Sequence, residues 1–107
     1  MELMYAAALR FDLHVPESRS LKCKRAAIRP IVDGLRHRFR LSVAEVEHQD
    51  RWQRAVIGVA VVAESARRLD EIIEAVERFV ARAAAVELVD MSRLELVDDA
   101  FPLAEDA

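Results

Sequence analysis

Between Arg19 and Arg40 stand eight basic residues, Arg19, Lys22, Lys24, Arg25, Arg29, Arg36, Arg38 and Arg40, against one acid, Asp33. The whole chain holds 16 basic and 19 acidic residues, so everything outside that segment has eight basic against 18 acidic. Charge divided this sharply predicts one anion-seeking surface on an anionic body. Other side chains with chemical potential are few. His14, His48, Asp12 and Asp50 contain acid–base and metal-ligand atoms. Their spacing matches no zinc or metalloprotease pattern, so they read as hydrogen-bonding residues, with a small enzyme using His14, His48 and Asp50 as the third functional reading. Cys23 is alone in a cationic stretch and lacks a resolving partner. Two glycines, Gly34 and Gly58, cannot build a phosphate-cradling loop.

The elements that must hold these residues follow from hydrophobic period. From Met4 to Val15 apolar residues alternate, with Tyr5, Ala7, Leu9, Phe11, Leu13 and Val15 on one face, which predicts a strand ending before Pro16. Ser18 or Ser20 can cap a helix whose stripe is Leu21, Ile28, Ile31, Val32, Leu35 and Phe39. Pro30 predicts a bend within it. Leu41–Glu47 and Ala55–Ala63 read as strands joined by a polar hairpin, the second apolar on both faces and so central. Ser65 caps a second helix with Leu69, Ile72, Ile73, Val76, Phe79, Val80 and Ala83 inward, and Glu74 lies one turn before Arg78. A last strand runs from Val86 to about Val97.

The order βαββαβ predicts an α+β, ferredoxin-like fold: a four-stranded antiparallel sheet with two helices on one face. Residues 1–97 form the single domain, and 98–107 an acidic tail expected to be disordered. No apolar run approaches the roughly 20 residues of a membrane span, and a lone cysteine suits a reducing compartment, so the expected address is cytoplasmic. No cofactor and no metal are expected.

In that topology the hairpin tip His48–Gln53 and the start of the first helix share one rim. Arg36, Arg38 and Arg40 suit the negative end of a helix dipole. Lys22, Lys24 and Arg25 sit at its positive end, where a cation loses a few tenths to about 1 kcal/mol relative to an acid. An anion bound there removes the conflict, and phosphate is the natural choice. Arg19, Ser20, Lys22, Lys24, Arg25, Arg29, Gln49, Trp52 and Arg54 are the candidate RNA- or anion-binding residues. Trp52 offers a stacking platform, although a tryptophan in a hairpin is expected to fold back over the strand edge.

The stretches Leu9-Arg-Phe-Asp-Leu-His-Val-Pro16, Arg19-Ser-Leu-Lys-Cys-Lys-Arg25 and Ser42-Val-Ala-Glu-Val-Glu-His-Gln-Asp-Arg-Trp-Gln-Arg-Ala55 resemble the YlxP-like family, a bacterial family of unknown function. The resemblance covers about Met4 to Val97. It implies a ferredoxin-like cytoplasmic protein, linked to ribosome assembly or translation by the genes beside which members are encoded. It carries over no catalytic residue. Cys23 replaces an expected acid and Arg51 a common leucine, and both changes raise the charge of the rim. The expected function is therefore non-enzymatic contact with ribosomal RNA or ribosomal particles. A homodimeric interaction module is the alternative, using Val46, Val56, Ala60 and Val62 on the uncovered sheet face.

Overall fold

The computed structural model describes residues 4–98. The elements are β1 (Met4–His14), α1 (Leu21–Asp33), a π-helical turn (Gly34–Arg38), β2 (Ser42–Glu47), β3 (Arg54–Ala63), α2 (Ala66–Ala81) and β4 (Glu87–Asp98). The expected tail lies outside the described residues, except that β4 runs on to Asp98. All strand pairs are antiparallel, in the order β2-β3-β1-β4, so β1 and β3 are central. The α+β, ferredoxin-like expectation holds.

Alternation in β1 and β3 separates the two faces of the sheet. Ala7, Leu9, Phe11 and Leu13 pack with Ala55, Ile57, Val59, Val61 and Ala63 into a core completed by Ile28, Ile31 and Leu35 of the first helical segment and Leu69, Ile73, Val76 and Val80 of α2. Each fully buried side chain of Val, Leu, Ile or Phe size contributes about 1.5–3 kcal/mol. Both helices therefore cover one face, and the face bearing Ala8, Arg10, Ala60 and Val62 stays open. Arg93 of β4 donates to Asp70 of α2 at 2.8 Å, and Asp70 and Glu95 together raise its pKa further.

Ser20 is the cap of α1, its hydroxyl accepting from the Cys23 amide at 2.9 Å, while Ser18 donates to the Ser20 carbonyl. Ser65 caps α2 in the same way through Arg68. Pro30 lies inside α1, and the departure from α geometry falls after it, where the Phe39 amide donates to the Gly34 carbonyl. Gly34 has a packing role. A Cβ there would overlap the Phe79 ring of α2, so glycine allows the two helices to approach.

A bulge in β2 rearranges the side chains next to the hairpin. Glu45 pairs with Ile57 and Glu47 with Val56, leaving Val46 as the extra residue. Glu45 thus faces the helices, whereas Val46 lies against Gly58 and Glu47 pairs with Arg10 on the open face.

Candidate functional site

The end of β1, the start of α1 and the β2–β3 hairpin tip meet at one rim. The Val15 amide donates to the Gln53 carbonyl at 2.9 Å, and the Gln53 side-chain amide donates to the carbonyls of Pro16 and Ser18. The tip itself turns at His48, whose φ of 62° is left-handed, and the Arg51 amide closes the turn onto the His48 carbonyl.

Lys24 occupies the centre of this junction. It is 0% exposed, so it is not a surface cation. Its ammonium donates to the carbonyls of His48 at 2.7 Å, Arg54 at 3.2 Å and Gln49 at 3.4 Å, matching three protons to three acceptors. A Glu45 carboxylate oxygen lies 2.8 Å away and makes no directed hydrogen bond, so it acts as the counter-charge. The expectation that Lys24 meets a phosphate is therefore corrected: its charge is enclosed and already satisfied. Sequence contained the signal. Lys24, Ile28, Ile31 and Leu35 follow i, i+4, i+7 and i+11, which places Lys24 within the buried stripe.

Two further candidates are engaged within the fold. Arg54 contacts both carboxylate oxygens of Asp12 at 2.8 Å, and Ser20 is occupied as the cap. Gln49 is exposed but reaches back to the Glu45 carbonyl at 3.3 Å. Arg19, Lys22, Arg25 and Arg29 are exposed and make no ion pair among the described residues, and the same is true of Arg51, which was not among the candidates.

Trp52 departs from expectation in the opposite sense. It is 55% exposed at the tip instead of folding over the strand edge. Its neighbour Gln53 already bonds the β1–α1 loop. A shallow depression formed by Asp50, Arg51, Trp52, Gln53 and Arg54 surrounds the indole.

Two of the acid–base candidates have partners within the fold. His14 Nδ1 lies 3.2 Å from Glu87, and half-buried His48 contributes its carbonyl to the Lys24 cluster. Among the described residues, no group of three or more His, Cys, Asp or Glu side chains is placed to hold a metal. Cys23 is exposed and free. No helix among the described residues is long and apolar enough to cross a membrane.

The description "Protein of unknown function (DUF503)" matches residues 6–93 of this chain. The chain belongs to the DUF503 family. It is 33% identical over 64 residues to the uncharacterized protein YlxP of Bacillus subtilis (strain 168), a match spanning 60% of this chain and 70% of the relative. Neither description assigns an activity, so membership of DUF503 leaves the role of the rim open. A solved de novo designed protein, Foldit4, aligns over 91% of this chain and 96% of its own with a TM-score of 0.44 and 10% identity. A likeness that distant bears on neither the fold nor the site.

Proposed function

We propose that the rim built from the start of α1 and the β2–β3 hairpin contacts RNA, as a non-enzymatic protein of ribosome assembly or translation. The observation that carries the reading is exposed Trp52 beside Arg51 on an anchored tip, with Lys22 and Arg25 on the adjoining helix start. Cations at the positive end of a dipole disfavour the free protein and favour an anion, and an exposed indole supplies a stacking surface. Arg19 and Arg29 extend the charge to either side. Contact with ribosomes requires a cytoplasmic address.

Trp52 is the sole tryptophan, so its emission reports the tip directly. Titrating single-stranded RNA at low salt should quench that emission, and raising the salt should reverse the effect. In cell extracts the protein should sediment with ribosomal particles. Emission indifferent to RNA, with sedimentation only as free protein, would eliminate this function.

A second reading is favoured by the open sheet face. Val62, Leu94 and Leu96 are 62%, 71% and 66% exposed there, with Ala8 and Ala60 between them. Of the four residues expected on that face, Val46, Ala60 and Val62 are exposed and Val56, opposite Asp12, is buried. A homodimer that apposes two such faces would cover the patch.

A further inference from the structure

The seam between α1 and α2 opens into a groove of about 610 Å³, within the usual size range of small-ligand pockets. It exists because the residues along the seam are small. Ala27, Ala75 and the alanines that follow α2 end at Cβ, while Phe39 and Phe79 pack with their ring centres 5.4 Å apart, tilted at 59°, and leave the space beside them unfilled. Its charged groups are all of one sign. Arg38, Arg78 and Arg82 line it, and no acid does. None of these arginines makes an ion pair among the described residues, and Glu74, one turn before Arg78, does not pair with it.

Arg38 is oriented by its surroundings. Its guanidinium lies 5.5 Å from the centre of the Phe39 ring and 5.8 Å from that of Phe79, so cation–π attraction holds it over the aromatic pair. It is the last residue of the π-helical turn, a geometry that recurs at functional sites. Helix-end dipoles account for cations near a C-terminus. They do not account for three cations converging on one apolar groove that lacks a counter-charge.

We propose that this groove binds a small amphipathic anion, an apolar body bearing one carboxylate or phosphate. The body would rest against Pro30, Phe39 and Phe79, and the head group would pair with Arg38, Arg78 and Arg82. Guanidinium groups suit either head group through paired N–H donors.

The test uses anilinonaphthalene sulfonate and its uncharged parent, phenylnaphthylamine, with the intact chain. The sulfonate should bind on the order of tenfold or more tighter than the parent, because charge-assisted pairing adds to the same apolar contact. Changing Arg38, Arg78 and Arg82 to Gln should remove that difference. Decanoate and decyl phosphate should each displace the probe, and the stronger competitor identifies the head group. Amide shifts in wild-type protein should centre on Phe39, Phe79 and Ala83, which keeps the test valid if the triple variant misfolds. Equal binding of the two probes, shifts centred on Val62 and Leu94, or no binding up to millimolar concentration would each overturn the proposal.

Discussion

The buried ammonium of Lys24 lies 2.8 Å from the Glu45 carboxylate, joining the first turn of α1 to the strand that leads into the hairpin. Replacing Lys24 with Met leaves the Glu45 carboxylate without its counter-charge and takes a donor from three carbonyls, of which His48 keeps the Arg51 amide. Loss of one member of a buried ion pair destabilises by about 3–5 kcal/mol. Urea unfolding of Lys24→Met should show a loss of that order. The double change Lys24→Met with Glu45→Leu should recover only part of it, since the carbonyls of Gln49 and Arg54 still lack the Lys24 donor. A Lys24→Met protein as stable as wild type would refute this role.

The exposed cations should behave differently. Lys22→Gln, Arg25→Gln and Arg51→Gln together should leave stability unchanged or slightly higher, because cation–dipole repulsion at the helix start is relieved. RNA affinity should fall, and the slope of log affinity against log salt should flatten by about 0.7 for each single-strand phosphate no longer neutralised. An unaltered salt slope would take this surface out of the RNA reading.

Trp52→Ala isolates stacking from charge. It should weaken RNA binding by about 1–3 kcal/mol while preserving the salt slope. Thermal unfolding should barely move, since the indole is more than half exposed. A large stability loss together with intact binding would make Trp52 a structural residue.

Much of this division was open to reading from the chain, and its failures are informative. Strand alternation in β1, the apolar run of β3 and the serine caps each belong to one local pattern, and each fixed its element to within a residue or two. Convergence at the rim followed from strand order. Lys24 fell on the apolar stripe of its helix, but the carbonyls that satisfy its charge lie 24 to 30 residues away, and the exposure of Trp52 goes with a Gln53 bonded across the loop. Such facts belong to tertiary packing, where charge alone misleads. The groove was obscured for a related reason. Arg38 had a sufficient explanation as a helix-end residue and Arg78 as a neighbour of Glu74, until the alanine seam lay between them.

The open face offers a separate measurement. Sedimentation equilibrium should report a dimer for the wild type, and Val62→Asp with Leu94→Asp should shift it to monomer by placing like charges across the apposed faces. Both residues are largely exposed in the single chain, so helicity should be retained. A wild type that is monomeric at high micromolar concentration would remove the dimer reading.

Gly34→Ala probes the helix contact. Forcing a methyl toward the Phe79 ring should destabilise by about 1–3 kcal/mol, offset in part by the roughly 1 kcal/mol that alanine favours in a helix. Pairing it with Phe79→Leu should restore the melting temperature towards wild type. Gly34→Ala alone raising that temperature would mean the ring yields freely.

The grip of Lys24 on the hairpin passes through main-chain oxygens. It therefore holds the path of the tip and is indifferent to the side chains displayed at 50, 51 and 52. One lysine buried in a helix thus fixes the backbone of the loop without fixing its outward side chains. Those three positions can be rewritten while the fold beneath stays the same.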